Sequence, residues 1–297
     1  MHILITGGSG LIGSNLIPSL KPSSITVLTR NVSRTEQILG HRVKFLSSLQ
    51  DLTSLDEFDV VLNLAGEPII DKSWSAQQKR ILEQSRWALT TKLVALIKNG
   101  QAPPECFISG SAVGYYGRQS DNMIDESFEQ IHDEFSHQLC EKWEHLAMQA
   151  ASPKTRVCIL RTGIVLSKRG GALPKMLRPF KLGLGGAIGD GEQYMSWIHL
   201  EDMLRGIIHI IDNKDCRGVY NFTASMPVTN KAFSKELAAI LHRPSFMRTP
   251  AFVMRMLMGE RADLILFGQR VIPKRLMESG FEFTYPQIKQ ALECLKL

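Results

Sequence analysis

The sequence predicts an α/β protein in which a doubly wound parallel sheet is followed by a smaller α/β region on the substrate side. Three observations lead to this fold class. Short β-branched apolar runs alternate with helix-like segments through residue 165, a glycine-rich turn joins the first run to the first helix, and glycine-rich loops interrupt the alternation afterwards. Such alternation favours parallel strands covered by helices on both faces, the Rossmann-type arrangement.

The first elements are the most regular part of the pattern. "HILIT" predicts a strand, "GGSGLIG" a turn, "LIGSNLIPSL" a helix that ends near Pro22, and "SITVLTR" a second strand. Four further strands are predicted by "RVKFL", "FDVVLNLAG", "ECFISG" and "TRVCILRTG". A long helix, with Ser75 as its N-cap and Gly100 at its end, is expected before "ECFISG", and another around residues 134 to 150 after it.

The chain divides by pattern into three parts. Residues 1–165 are predicted to form the Rossmann core, which later strands of the chain rejoin. Residues 166–244 carry glycine-rich loops such as "KRGGALPK" and "GLGGAIGDGEQ", which are typical of substrate-cleft segments. Residues 245–297 predict a small helical domain, whose Met and Leu residues at helical spacing favour core packing over a partner-binding face.

Composition and charge exclude several classes of protein. The formal net charge of +6 is spread among acidic residues along the 297-residue chain, which is not the pattern of a nucleic-acid-binding protein. The five cysteines form no CxxC pair or Cys/His cluster, so neither a disulfide framework nor a metal site is predicted. No signal peptide is recognisable, and no run approaches the roughly 18 apolar residues of a membrane span. We therefore expect a cytoplasmic protein with a small-molecule ligand.

The glycine-rich turn indicates a dinucleotide site. It satisfies both GxGxxG and GxxGxxG and lies directly between a strand and a helix. Glycines at these positions allow a tight turn, close approach of a pyrophosphate to the first amides of the helix, and close packing of the helix on the strand. The cofactor-binding residues predicted here are Gly7, Gly8, Ser9, Gly10, Leu11, Ile12 and Gly13.

The end of the second strand favours NADP(H) over NAD(H). Arg30 stands where an NAD site would place an acid on the ribose 2′-hydroxyl, and Arg34 follows one helical turn later. A carboxylate there would repel a 2′-phosphate, whereas a guanidinium binds it through charge-assisted hydrogen bonds. The other interpretation is that both arginines are ordinary surface charges. Residues 1–165 are thus predicted to be the NADP(H)-binding core.

The fifth predicted strand ends in "ISGSAVGYYG", residues 108 to 117. Small residues at the end of a core strand let a ligand approach the backbone, and four hydroxyls there could hydrogen-bond or move protons. A plain turn would also account for the glycines. The hydroxyls belong to Ser109, Ser111, Tyr115 and Tyr116.

The motifs together resemble an extended short-chain dehydrogenase/reductase over about the first 240 residues. The resemblance rests on "TGGSGLIG", on "NLAG" after the fourth strand, on "SGSAVGYYG" after the fifth, and on "WIHLEDM" later in the chain. Over essentially the whole chain, "AGEPI", "SRW", "GSAVGYYG", "KWE", "LRTGIVL" and "GQRVIPKRL" resemble the bacterial YfcH-like epimerase family, which has a small C-terminal domain of its own.

The resemblance implies positions for the cofactor and the substrate. The nicotinamide would lie beside the loop after the fifth strand, and Ser111 would hydrogen-bond the reacting carbonyl or hydroxyl. The cofactor would be lined by Leu64, Ala65, Gly66, Ser109, Gly110, Thr162 and Gly163. Gly189–Gly191 and Trp197–Asp202 would border the substrate cleft, although Asp202 could simply cap a helix.

The resemblance also implies a YxxxK pair on the helix after this loop, in which the lysine lowers the tyrosine pKa so that the phenol can exchange a proton with the substrate. That pair is absent from the helix. In "FSHQLCEKWEH", Glu144 matches a glutamate that the class has later on the same helix. Counting back from it, the tyrosine position falls on Ser136 and the lysine position on Cys140, and neither side chain can replace the tyrosine or the lysine. The only literal YxxxK, from Tyr285 to Lys289, lies in the wrong element.

Several polar residues are candidates for the missing proton donor or for substrate contacts. Tyr115 and Tyr116 come first, and each candidate could equally be a satisfied structural residue. Arg86, inside the long helix, would need an anionic partner such as a phosphate or carboxylate if it is buried. The other candidates, including those on the substrate side, are Glu67, Lys72, His137, Trp197 and His199.

Two functions remain open from the sequence. The first is an NADP(H)-dependent oxidoreductase or epimerase-like enzyme that acts on a carbonyl or hydroxyl compound, with a nucleotide sugar as the substrate class that the resemblance implies. The second is a sensor or interaction protein that binds NADP(H) without turnover, which the missing Tyr and Lys favour. A homodimer through the long helices is compatible with both.

Overall fold

A computed structural model describes residues 1–20 and 24–297. The strands in this part of the chain are β1 (His2–Thr6), β2 (Ser24–Leu28), β3 (Lys44–Leu46), β4 (Val60–Asn63), β5 (Cys106–Ala112), β6 (Met123–Ile124), β7 (Arg156–Thr162), β8 (Ile164–Leu166), β9 (Gly186–Ile188), β10 (Tyr194–Met195), β11 (Trp197–His199), β12 (Gly218–Phe222), β13 (Val228–Thr229), β14 (Met247–Thr249) and β15 (Arg270–Val271). The helices are α1 (Leu11–Leu16), α2 (Val32–Leu39), α3 (Ala76–Asn99), α4 (Phe135–Met148), α5 (Leu173–Lys181), α6 (Leu200–Asp212), α7 (Asn230–Ile240), α8 (Ala251–Met258), α9 (Asp263–Leu266), α10 (Lys274–Glu278) and α11 (Ile288–Cys294).

The central sheet has seven strands within residues 1–20 and 24–297, in the order β12-β7-β5-β4-β1-β2-β3. Every neighbouring pair in it is parallel. The strand order reverses beside β1, and at such a point the carboxyl ends of the strands form a crevice for ligands. The Rossmann-type fold class is therefore confirmed, and β12 is a later strand that rejoins the sheet.

Both faces of the sheet are covered by helices because its strands are apolar on both sides. Ile3 and Ile5 of β1 belong to a core with α1, α6 and α10 on one face. Leu4 belongs to a second core, with Leu93 of α3 and Ala147 of α4, on the other face. Alternate residues of β1 thus pack against the helices on the two faces of the sheet. This packing fixes the sheet edge at which the loops after β1, β4 and β5 meet.

The first predicted helix is shorter than its apolar pattern suggested. It ends at Leu16 and is followed by a 3-10 turn over Ile17–Ser19. The predicted end near Pro22 lies outside the described residues. The long helix matches its prediction, since the Ser75 side chain accepts a hydrogen bond from the Gln78 backbone at the start of α3, and Gly100 follows its last residue.

A separate core lies after the central sheet. Trp197, Phe233, Leu237 and Leu292 are buried together there, so that α7 and α11 pack on β11. The expectation of a buried Met and Leu stripe is wrong for α8, which has no buried residue. Its Phe252, at 70 % exposure, lies on the surface because α8 packs mainly against the short turn that follows it. Among the described residues, no helix combines the length and apolarity needed to cross a membrane.

Candidate functional site

The glycine turn after β1 is shaped by backbone contacts that exclude side chains. Gly7 has a φ of +71°, and a Cβ there would lie 2.8 Å from the Leu64 carbonyl carbon. A Cβ on Gly13 would lie 2.6 Å from the Gly7 oxygen and from the Gly8 Cα. The turn closes through the Gly10 amide, which donates to the Gly7 oxygen at 3.0 Å. Because Ser9 and Gly10 are exposed at its tip, the turn is a narrow backbone cradle that fits a dinucleotide pyrophosphate.

Leu64, Ala65 and Gly66 follow β4 directly and are held beside this turn by a buried polar network. The Thr6 hydroxyl donates to the Asn63 side-chain oxygen at 2.8 Å and accepts from the Ala65 amide at 3.1 Å. The Asn63 amide in turn donates to Thr90 of α3 at 2.9 Å. These bonds connect β1, β4 and α3, so the predicted cofactor-lining segment has a fixed position.

The two arginines predicted to select NADP(H) lie beyond the end of β2. Arg30 is exposed in a bend two residues after the strand, and Arg34 is exposed in the first turn of α2. The Asn31 side chain caps α2 by accepting from the Arg34 amide at 3.0 Å. Neither guanidinium forms an ion pair within the described part of the chain, so both are available to a phosphate. Leu11 and Ile12, also predicted at the cofactor, are half-buried at the start of α1.

Ser111, at the end of β5, is bound to a buried ion pair. Its hydroxyl donates to a Glu144 carboxylate oxygen at 2.6 Å. Arg161 of β7 donates to the same carboxylate through Nε at 2.9 Å and Nη2 at 2.7 Å. Burial alone would lower the pKa of Arg161, but its bonds to Glu144 raise that pKa above the ordinary value. The ion pair ties α4 to β7 and orients the Ser111 side chain.

The two adjacent tyrosines differ in their surroundings. Tyr116 is fully buried, and its hydroxyl donates to Asn221 at 2.8 Å and accepts from Arg161 at 3.0 Å. Burial raises the pKa of Tyr116 to about 12. Tyr115 is half-buried, and the Arg161 guanidinium carbon lies 3.3 Å from its ring centroid. Tyr116 therefore has the contacts of a structural residue, whereas the Tyr115 hydroxyl has no hydrogen-bond partner among the residues that the structure describes.

The positions of the missing YxxxK pair lie against the loop after β5. A Cβ on Gly114 would be 3.3 Å from the Ser136 Cβ, and the Ser136 hydroxyl donates to Glu134 at 2.6 Å. Cys140 is buried, and burial raises the pKa of its thiol to about 11, so the thiol is neutral near pH 7. His137 is also buried, with Nδ1 2.6 Å from the Tyr115 carbonyl oxygen.

Arg86 reaches the same region from α3. Its Nη2 donates to the Glu67 carbonyl at 3.0 Å, and its Nη1 donates to the Leu82 carbonyl at 3.1 Å and to the Ser85 hydroxyl at 3.3 Å. Burial lowers the pKa of Arg86 from its ordinary value. The Glu67 carboxylate pairs instead with Lys72 at 2.8 Å, at the exposed edge of the loop.

The other predicted site residues are more enclosed. Ser109 is fully buried, and Gly110 packs so closely on Trp143 that a Cβ would lie 3.1 Å from its ring. Thr162 and Gly163 are half-buried at the end of β7. Trp197 and His199 have 0 % and 5 % of their surface exposed, so any part they take in a substrate site would be indirect.

The glycine loops of the predicted substrate cleft lie close to the C-terminal helices. A Cβ on Gly189 would be 3.7 Å from the Leu266 side chain of α9. Asp202 is fully buried and accepts from the Thr284 and Tyr285 amides at 2.8 and 2.9 Å, so it fastens the C-terminal segment. No group of three His, Cys, Asp or Glu side chains able to hold a metal occurs in the described residues.

The sequence did not predict the buried hydrogen bonds that Arg161, Asn63 and Thr90 form. Arg161 did carry a signal, since a charged residue inside the apolar run "VCILRT" needs a buried acid. Glu144 was noticed only as a motif position. Asn63 and Thr90 carried no comparable signal because they are 27 residues apart and meet only in the fold.

Comparison with known proteins gives the family of this chain. Residues 3–222 match the NAD dependent epimerase/dehydratase family, and residues 249–295 match a domain of unknown function, DUF1731. An epimerase family protein of Staphylococcus saprophyticus is 36 % identical over 299 residues, which cover 99 % of each chain.

Two solved structures are similar in fold. The human epimerase family protein SDR39U1, solved with NADPH, is 31 % identical with a TM-score of 0.92, covering 100 % of this chain and 99 % of that one. UDP-glucuronic acid 4-epimerase from Bacillus cereus, in complex with UDP-glucuronic acid and NAD, has a TM-score of 0.78 over 100 % of this chain and 98 % of its own. At 19 % identity, the second similarity concerns the fold alone.

Proposed function

Since the chain belongs to the NAD dependent epimerase/dehydratase family, we propose that it is an NADP(H)-dependent oxidoreductase or epimerase-like enzyme. Its substrate is a compound with a carbonyl or hydroxyl group, of the nucleotide-sugar type. The observation that carries the proposal is the backbone cradle of Gly7 and Gly13, beside which two exposed arginines follow β2. The NADPH in the structure of the human relative supports the choice of cofactor.

The cofactor supplies or accepts a hydride when it is bound. The Leu11 and Ile12 amides, in the first turn of α1, would bind its pyrophosphate, because the first backbone N–H groups of a helix have no acceptor within the helix. Arg30 and Arg34 would bind the 2′-phosphate by charge-assisted hydrogen bonds. Leu64, Ala65 and Gly66 would line it, since the network around Asn63 fixes them next to the cradle.

The reacting oxygen needs a proton donor or acceptor on this chain. Tyr115 is the better of the two tyrosines for this role, since no described residue hydrogen-bonds its hydroxyl, whereas the Tyr116 hydroxyl is bound to Asn221. The Ser111 proton is held by Glu144, so Ser111 in this arrangement would accept a hydrogen bond from a substrate hydroxyl. Rotation of its hydroxyl would be needed before it could donate to a carbonyl.

Nucleotide binding tests the cofactor assignment. Cofactor-free protein is titrated with NADPH and with NADH, and nicotinamide fluorescence is followed. Each charged hydrogen bond contributes roughly 1.5 to 3 kcal/mol, so NADPH should bind at least about tenfold more tightly, and Arg30→Ala should lose that preference. Arg42→Ala, which removes another exposed arginine nearby, is the matched control and should keep it. Failure of both nucleotides to bind would overturn the proposal.

A second function, NADP(H) binding without turnover, is favoured by Ser136 and Cys140 at the YxxxK positions. Such a sensor would change its association with a partner when the cofactor binds. Turnover assays of Ser111→Ala and Tyr115→Phe separate the two functions, since a positioned acid or base contributes about 10² to 10⁴ in rate. If a verified turnover were unchanged in both variants, the assigned catalytic residues would be wrong; if no turnover is found while NADPH binds, the sensor is favoured.

A further inference from the structure

Arg86 carries a positive charge that no carboxylate binds directly among the residues that the structure describes. It is half-buried between the loop after β4 and α4, with its guanidinium carbon 5.3 Å from the centre of the Trp143 ring. All its hydrogen-bond acceptors in the described part of the chain are neutral, two backbone carbonyls and one hydroxyl. Burial of a cation without an anionic partner costs free energy, so this arrangement calls for an anion from outside the chain.

The neighbouring acidic groups form no hydrogen bond with Arg86. The Glu67 charge acts on Arg86 through space and raises its pKa, but the Glu67 carboxylate is bound to Lys72, with Nζ and Oε1 2.8 Å apart. The Cys140 thiol lies within electrostatic range, but its pKa of about 11 leaves it neutral near pH 7. Arg86 appears in no ion pair among residues 1–20 and 24–297.

The two other enclosed arginines of the sheet show how this fold otherwise balances such charges. Arg161 binds the Glu144 carboxylate through two nitrogens. Arg156 donates to the Ile210 and Ile211 carbonyls at 2.9 Å, at the end of α6, where the helix dipole is negative. Arg86 lies mid-way along α3 and has neither a carboxylate nor a helix end.

Arg86 keeps donors unused beside an exposed glycine. Its Nε and one N–H of Nη2 have no acceptor in the described residues, and a Cβ on the exposed Gly66 would lie 3.0 to 3.3 Å from Cζ, Nη2 and Nε. Cζ is the nearest of the three atoms, so Gly66 lies over the face of the guanidinium and, lacking a side chain, leaves room there. A guanidinium with free N–H donors can bind the oxygens of a carboxylate or phosphate.

We propose that Arg86 binds an oxyanion of the substrate, so that the substrate of this cleft carries a carboxylate or phosphate group. This inference rests on the proposed function, since it assigns a substrate group to the same cleft, at the carboxyl edge of the sheet. Gly66 lies between the two sites: its segment is fixed beside the glycine cradle, and Gly66 itself packs against the Arg86 guanidinium.

The test measures anion binding to the protein saturated with NADPH. Inorganic phosphate, acetate and UDP are titrated by calorimetry into wild type, Arg86→Gln and Arg86→Lys. In wild type at least one probe should bind, and Arg86→Gln should weaken that probe at least about tenfold. Arg86→Lys keeps the positive charge but lacks the paired N–H groups of a guanidinium, so its affinity for the probe should lie between those of wild type and Arg86→Gln. Which probe binds distinguishes a carboxylate from a phosphate or a diphosphate.

Controls separate this inference from folding and from the proposed function. Arg80→Gln removes an exposed arginine of the same helix and should leave the binding of every probe unchanged. Thermal melts show whether the Arg86 variants are folded, and NADPH affinity should stay within about twofold of wild type. The inference is overturned if no probe binds wild type, if Arg86→Gln binds the probe as well as wild type does, or if only NADPH affinity falls. Loss of NADPH binding in wild type would instead overturn the proposed function.

Discussion

Removal of the Glu144 carboxylate should destabilise the protein strongly. Glu144 accepts two hydrogen bonds from Arg161 and one from Ser111, and the side chains of the ion pair are only 5 % and 7 % exposed. Glu144→Ala leaves a guanidinium that is buried and unpaired, which costs about 3 to 5 kcal/mol. Since domains are typically stable by about 5 to 15 kcal/mol, the loss is a large fraction of the total.

Urea denaturation measures this loss as a change in the free energy of unfolding at unchanged m value. Glu105→Ala is the matched control, because Glu105 and Lys214 form an ion pair with 69 % and 79 % of their side chains exposed, and such pairs contribute about 1 kcal/mol at most. The double variant Glu144→Leu/Arg161→Met should be less destabilised than Glu144→Ala, since no charge is left buried. A loss below about 1 kcal/mol in Glu144→Ala would refute this account of the ion pair.

Two further predictions concern the glycine turn and pH. Gly13→Ala places a Cβ 2.6 Å from backbone atoms and should cost about 1 to 3 kcal/mol in denaturation, whereas Gly10→Ala, with its nearest atom at 3.2 Å, should cost less; equal losses would contradict the packing argument. Burial lowers the pKa of His199, so on acidification this imidazole is protonated in the unfolded chain before it is protonated in the folded protein. The contribution of neutral His199 to the free energy of unfolding is therefore fully present above about pH 6.5 and is lost as the pH falls towards the folded-state pKa. His199→Asn, which can still cap α6, should therefore show a shallower fall in unfolding free energy between about pH 7.5 and pH 5.5, and an unchanged slope would contradict this assignment.

The parts of the fold that local patterns encode could be predicted from the sequence. The order of strands and helices through residue 165 follows from hydrophobic periodicity, and the turn after β1 from its glycines. The burial of Trp197 and the exposure of α8 could not be predicted, because both depend on which distant elements cover them. Helical spacing of Met and Leu specifies a face, but it does not say what packs on that face.

The candidate site was predictable in its composition but not in its connections. Ser111, Tyr115 and Tyr116 were recognised together as hydroxyl-bearing residues at the end of a core strand. Only the fold shows that Ser111 donates to a buried acid and that Tyr116 is buried, since these contacts join positions 33 and 105 residues apart. Sequence spacing alone therefore could not separate the hydrogen-bonded hydroxyls from that of Tyr115, which has no partner among the described residues.

The two arginines near Ser111 have opposite relations to their surroundings. Arg161 is paired with Glu144 and binds Tyr116, so it connects β7 with α4 and with the turn after β5. Within the described residues Arg86 donates hydrogen bonds to neutral groups only, and the nearby Glu67 carboxylate is bound to Lys72, so a ligand competes with no hydrogen-bonded acid for Arg86. The paired arginine thus supports the structure, whereas the arginine without a bound carboxylate can bind a ligand. Substitutions of Arg161 should therefore act first on stability, and substitutions of Arg86 on binding.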